Sequence, residues 1–365
     1  MNIGIPKERR PFELRVGMTP TGTQMLTEQG HTCYVEHDAG LGAGFSDLEF
    51  QEAGARIVYS SHEVFGRADM VLKVARPTYD ELEWLRPNTI LAGLLHLGSS
   101  RQDKTDYMLE NKITAFAYEQ IQFPDGSMPV RRPLSQIGGL LSAQIAARLM
   151  QSTDGGKGIL LGGLPGVPPA EVVIIGAGLA GSAAVSAFLG MGAHVTVLDI
   201  DQNVLQRIFD RYANMGVVTM ISYPRNIARV CSFADVLVGS ILTPNSPPPM
   251  IITRELVRTM KPRSIVMDIS IDEGGCVETS RPTTHEHPTF IEEGVIHYCV
   301  PNIPSLVART STNAFLNAAY PFILELANKG VDAAAADNSA IAKGIAIHNG
   351  ELHYITRLTP KESVE

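Results

Sequence analysis

Residues 172–201, VVIIGAGLAGSAAVSAFLGMGAHVTVLDID, constrain the fold more than any other stretch of the chain. An apolar run, Val172 to Ile175, has the composition of a strand buried in a parallel sheet. Gly176, Gly178 and Gly181 follow as G-x-G-x-x-G at a strand-to-helix turn. The first glycine permits the tight turn, the second lets backbone approach a pyrophosphate, and the third lets the helix pack closely on the strand. The start of that helix offers free N–H groups and a positive dipole end to phosphates. A second strand, His194 to Leu198, ends at Asp199, 23 residues after Gly176. A carboxylate there accepts hydrogen bonds from an adenosine ribose 2′-OH and repels a 2′-phosphate. The fingerprint with its flanking strands and acid predicts a dinucleotide-binding fold, with NAD preferred over NADP.

The chain has 365 residues, enough for two domains that each bury a core. A net charge of −8 makes nucleic acid a poor partner. The apolar stretch 171–198 is not expected to span a membrane, because its glycines and change of period break it into strand, helix and strand. No signal peptide is expected in MNIGIPKERR, and Cys33, Cys231, Cys276 and Cys299 are scattered without metal or redox spacing. They are expected to be reduced core thiols of a cytoplasmic protein. His285 and His287 stand as H-x-H with no third ligand in view, so no metal is expected.

Residues 1–130 alternate short apolar runs with amphipathic stretches, which predicts a second, mostly parallel α/β sheet without a glycine fingerprint. Leu134 to Met150 and Thr312 to Leu326 each have the pattern of a long helix, suited to crossing between domains. The expected architecture is therefore α/β: two doubly wound, Rossmann-like domains with a cleft between them, joined by two long helices. Residues 131–306 would bind NAD, and 1–130 plus 307–365 would form a discontinuous substrate domain. The tail from Asp332 is small and polar and carries no decisive pattern. Ligands of such sheets lie at the carboxyl ends of the strands. That rule selects Lys73, Arg76 and His96 in the first sheet, and Asp268, Asp272, Glu273 and Asn302 in the second.

Many blocks along the chain resemble the alanine dehydrogenase family, whose relatives include the transhydrogenase alpha subunit. They include IGIPKE, ELRVGMTP, LLHL, FAYE, GGLPGVPPAEVVIIGAGLAG, SIVMDISIDEGGCVETSRPTTHEHPTF and HYCVPNIP. The resemblance implies NAD-linked, reversible oxidative deamination of a small amino acid in a homo-oligomer, a hexamer in that family. It implies that Arg15 holds the substrate carboxylate through a planar, bidentate fork. It makes His96 the proton shuttle, as suits an imidazole that titrates near neutrality. It puts Asp272 close to the nicotinamide ribose and the reacting carbon, and Asn302 beside the nicotinamide. The PLSQIGG block, with Ser135, corresponds to a segment near the cofactor.

One block departs from the family. A KVKEP-like segment reads LKVARP here, so Ala75 stands where the resemblance expects a catalytic lysine, and Arg76 replaces the following acid. A lysine there would stabilise negative charge developing on oxygen. Lys73 is expected to share a face with Ala75 and to reach the substrate from farther back along the strand. Arg76 suits a second substrate carboxylate, which would favour an imine reductase that joins or splits two amino-acid-like partners. A catalytically weak NAD(H)-binding sensor is the alternative of another class.

Overall fold

A computed structural model describes residues 1–243 and 246–354. The chain divides into two compact units, Met1–Leu134 with Ser305–Glu365, and Ser135–Pro304. Each is built on one sheet of parallel-rich α/β type. Among the described residues no helix is long and apolar enough to cross a membrane.

In the first unit, strands β1 (Asn2–Ile5), β2 (Thr32–Glu36), β3 (Arg56–Val58), β4 (Met70–Ala75), β5 (Ile90–Leu94) and β6 (Thr114–Ala117) are all parallel. Their spatial order is β3-β2-β1-β4-β5-β6, the doubly wound arrangement with its switch point between β1 and β4. The strands are buried on both faces. Met70, Leu72 and Val74 of β4 face one apolar cluster, shared with Phe315, Phe322 and Ile323 of the long helix Ala308–Lys329. Val71 faces the other cluster, with Phe65, Leu91 and Leu95.

The second unit repeats the plan. Strands β7 (Glu171–Ile175), β8 (His194–Asp199), β9 (Val218–Ile221), β10 (Val236–Gly239) and β11 (Ile265–Asp268) are parallel in the order β9-β8-β7-β10-β11. Strand β13 (Val295–Tyr298) continues the sheet in parallel, and β12 (Thr289–Glu292) closes it as an antiparallel edge. The fingerprint strand β7 borders the switch point of this sheet.

Two features were not foreseen from the sequence. The apolar run 296–300 by itself predicts a single strand, whereas the structure forms the hairpin β12–β13 there. The tail, which carried no decisive pattern, forms helices Val331–Asp337 and Ser339–Gly344 and strands β14 (Ile345–His348) and β15 (Glu351–Leu352). Strand β14 pairs antiparallel with β6 and extends the first sheet. Thr114 and His348 add a hydrogen bond of 2.9 Å across that pair. All four cysteines are free and buried, and burial pushes the Cys33 and Cys231 thiols up to about 12.

An ion triad fixes the carboxyl end of β4. Lys73 Nζ donates to Glu8 Oε2 at 3.0 Å and to Glu81 Oε1 at 2.6 Å, with all three side chains buried. Glu8 also accepts the Val74 N–H at 2.6 Å, and Glu81 accepts the Thr78 N–H at 2.8 Å in a capping box that starts helix Tyr79–Glu83. Burial alone would lower the Lys73 ammonium, but the two carboxylates outweigh it and hold it above its ordinary value. Burial raises the Glu8 carboxyl despite the ammonium beside it. Removing one partner of a buried ion pair leaves uncompensated charge, which costs roughly 3–5 kcal/mol. Lys73→Met is therefore expected to lower the free energy of unfolding by that much, seen as a lower urea midpoint at unchanged slope. An unfolding free energy within about 1 kcal/mol of the parent's would mean that the triad is not needed for stability.

Candidate active site

In the second unit the fingerprint glycines have distinct physical duties. Gly176 ends β7 with φ +94°, a backbone that L side chains rarely adopt, and a Cβ there would come 2.6 Å from the Ser240 carbonyl. A Cβ on Gly181 would come 1.8 Å from the Gly176 carbonyl, so no side chain fits between helix and turn. Gly178 differs: it caps helix Leu179–Gly190 without a side-chain cap bond, and nothing lies within 4 Å of where its Cβ would be. Open space beside uncapped helix N–H groups is what a pyrophosphate requires, so the residues present fit a dinucleotide.

Asp199, at the end of β8, accepts the Ala177 N–H at 2.6 Å and the Asp201 N–H at 2.9 Å. The acid read from the sequence as a ribose ligand thus also holds the glycine turn in place. Ser135 lies in helix Arg131–Leu149, partly exposed. In the same helix Gly139 sits so close to the fingerprint helix that a Cβ would be 2.0 Å from the Ala180 carbonyl.

Asp272 and Asn302 meet. Asp272 lies in the short turn Ile271–Glu273 after β11, and its Oδ2 accepts the Asn302 N–H at 3.2 Å. Asn302 has φ +57°, an uncommon backbone for a residue with a side chain. Beneath them the buried Asp268 carboxylate accepts the N–H groups of Ser270, Cys276 and Val277 and closes the loop that carries Asp272.

In the first unit, Arg15 is buried and forms a two-bond fork with Glu13: Nε to Oε1 at 2.7 Å and Nη2 to Oε2 at 2.6 Å. Two residues on, Gly17 presses against β4 so closely that a Cβ would be 2.0 Å from the Leu72 carbonyl. The Arg15 loop is thereby fixed near the end of β4, where Ala75 and Arg76 lie partly exposed. His96 follows β5 with φ +43°. Glu119, just past β6, accepts the Leu95 N–H at 3.1 Å and the His96 N–H at 2.6 Å. A left-handed backbone in a residue with a Cβ persists only when its surroundings hold it, and it is a frequent mark of function. Glu119, inside the FAYE block, was not singled out from the sequence, because its role depends on reaching across to the next strand.

Lys73 departs from expectation. Its ammonium is fully enclosed by Glu8 and Glu81, whereas Ala75 is partly exposed. Both carboxylates sit over the Lys73 ammonium, which leaves none of it accessible. We therefore assign it a structural role in place of the expected substrate contact.

Comparison with known proteins gives the family. A family model described as alanine dehydrogenase/PNT, N-terminal domain, matches residues 4–138, and the corresponding C-terminal domain matches residues 142–355. The chain belongs to the alanine dehydrogenase/PNT family. It is 44% identical to the alanine dehydrogenase of Methanococcus maripaludis, over 97% of this chain and 95% of that one. It is 43% identical to the alanine dehydrogenase of Mycobacterium tuberculosis, over 96% and 94%. A solved L-alanine dehydrogenase superposes with a TM-score of 0.93 at 38% identity, covering 96% of both chains. A transhydrogenase from Sinorhizobium meliloti, 22% identical with a TM-score of 0.84 over 97% of this chain and 100% of that one, shares the fold. The chain is accordingly an NAD-dependent amino-acid dehydrogenase of the alanine dehydrogenase type.

The glycines separate affinity from stability. Gly178→Ala is expected to weaken NADH binding at least tenfold with a melting midpoint near the parent's, because the added methyl meets ligand space and no protein atom. Gly181→Ala is expected to cost about 1–3 kcal/mol of stability through overpacking. NADH fluorescence titration and urea melts on both variants check this; equal effects on both quantities would contradict it.

Proposed function

We propose that the protein interconverts a 2-amino acid and its 2-oxo acid, releasing or taking up ammonia. The observation that carries this is the pair at the carboxyl edge of the first sheet: a buried arginine fork beside β4, and a histidine held in left-handed backbone by Glu119. Alanine is the reference substrate, since relatives at 43–44% identity are named alanine dehydrogenases.

Arg15 binds the substrate α-carboxylate through its guanidinium, which Glu13 orients. Bound NAD supplies the acceptor for the hydride leaving the α-carbon. His96 removes a proton from the water that adds to the resulting iminium carbon, then returns it as ammonia departs and the carbonyl forms. Glu119 acts on His96 by fixing its backbone. Asp272 holds the Asn302 backbone beside the nicotinamide position implied by the family resemblance. His96→Ala should lower turnover by roughly 10²–10⁴-fold and leave NADH affinity near the parent value, because nucleotide binding belongs to the other unit. A folded variant with full activity removes His96 from the mechanism.

Ala75 bears on substrate choice. With no cation at that position to stabilise the developing oxyanion, turnover of L-alanine should be low. Ala75→Lys should raise it, since one preorganised charge contact is worth about 3 kcal/mol in a transition state. NADH formation with L-alanine at alkaline pH, parent against variant, measures the difference; brisk turnover by the parent would show that the missing lysine is not needed.

A further inference from the structure

Two serine hydroxyls join the glycine turn to the loop that carries Asp272. Both lie at the carboxyl end of β10, which has β7 on one side and β11 on the other. Ser240 directly follows β10. Its N–H donates to the Ile175 carbonyl at 2.9 Å, and its Oγ donates to the Gly176 carbonyl at 2.6 Å. A Cβ on Gly181 would lie 2.7 Å from the same hydroxyl, so Ser240 fills the corner between turn and helix. From the β8 side, Asp199 holds the Ala177 N–H of that turn.

Ser270 is the counterpart beyond β11, and it is buried. Its Oγ accepts the Ile241 N–H at 2.8 Å, and its N–H donates to Asp268 Oδ1 at 3.2 Å. Its carbonyl accepts the N–H groups of Glu273 at 2.9 Å and Gly275 at 3.1 Å. Those two bonds wrap the turn Ile271–Glu273, whose middle residue is Asp272. One path of bonds therefore runs from Gly176 through Ser240, the Ile241 N–H and Ser270 to the Asp272 turn, and from Asp272 to the Asn302 N–H.

The ladder itself needs neither hydroxyl: β10 pairs with β7 and β11 through backbone as far as Gly239. The serines stand past the last paired residues, where peptide groups require other partners. A hydroxyl both donates and accepts; Ser240 uses its donor on one loop and Ser270 its acceptor on the next. We propose that Ser240 and Ser270 are positioning residues for the dinucleotide, locking the pyrophosphate turn to the loop at the nicotinamide so that both ends of NAD(H) meet one rigid frame. This rests on the reading that the turn at Gly176 receives the pyrophosphate and that Asp272 stands by the nicotinamide. Ordering of the turn by one part of the ligand is then felt in the loop that meets the other part.

The test titrates the full chain with NADH, read by its fluorescence, and with ADP-ribose, which has the pyrophosphate and no nicotinamide, read by competition. Ser270→Ala should weaken ADP-ribose about fivefold, as for one lost hydrogen bond, although the residue belongs to the loop at the other end. Ser240→Ala should weaken it to the same degree, and the double variant should lose no more than either alone, because both changes cut one link. Urea midpoints identify a variant that fails to fold, and amide exchange in the parent then decides. ADP-ribose should slow exchange of the Ser270 and Gly275 N–H groups more than that of Ile296 in β13, which reports opening of the whole unit. Unchanged ADP-ribose affinity in Ser270→Ala, losses that multiply in the double variant, or equal slowing at all three amides overturns the link. None of these readouts needs turnover. If both nucleotides bind and no amino acid is converted, the proposed function fails and the ADP-ribose result still decides the link. If the parent binds neither nucleotide, the turn is no pyrophosphate site and the link falls with it.

Discussion

The ammonium of Lys73 is the point on which the carboxyl edge of the first sheet depends. It sits between Glu8, from the loop after β1, and Glu81, from the helix after β4, and so closes the carboxyl edge at the switch point of the sheet. A lone charge in that place would be prohibitively costly, and one carboxylate would leave an incomplete shell. Two carboxylates, each also accepting a backbone N–H, satisfy it. From this anchor run the loop that carries Arg10, Glu13 and Arg15 and the segment that carries Ala75 and Arg76. A buried ion triad therefore sets where these loops stand.

The same device recurs at the ends of other strands. Glu119 holds the backbone of Leu95 and His96, Asp199 that of Ala177, Asp272 that of Asn302, and Asp268 that of Ser270, Cys276 and Val277. Loops at the carboxyl edge of a parallel sheet have N–H groups that no ladder satisfies, and buried donors left unmade are expensive. Carboxylates are the strongest acceptors available for them. Hence several acids near the candidate site act as scaffold, and acidity alone is a poor guide to which of them touches a ligand.

Ala75 ends β4 with a small uncharged side chain. The triad holds this end of the strand and with it the position of Ala75. A changed side chain at such an edge can alter what a site selects without a change in fold.

The sequence by itself determined the strand-and-helix alternation, the glycine turn with Asp199, and the family, because these rest on local periodicity and on motifs a few residues long. It also exposed Arg15, His96, Asp272 and Asn302 as candidates, through position after strands and block resemblance. It did not show that Lys73 is enclosed, because its partners Glu8 and Glu81 come from two other segments that only the folded sheet brings to it. Nor did it show Glu119, the β12–β13 hairpin or the strand made by the tail. Strand β14 finds its partner in β6, more than two hundred residues earlier, and a four-residue apolar run carries no sign of that pairing. Which carboxylate meets which amide, and which cation meets which carbonyl, was left to the tertiary structure, because those contacts join residues that only the packed sheet brings together.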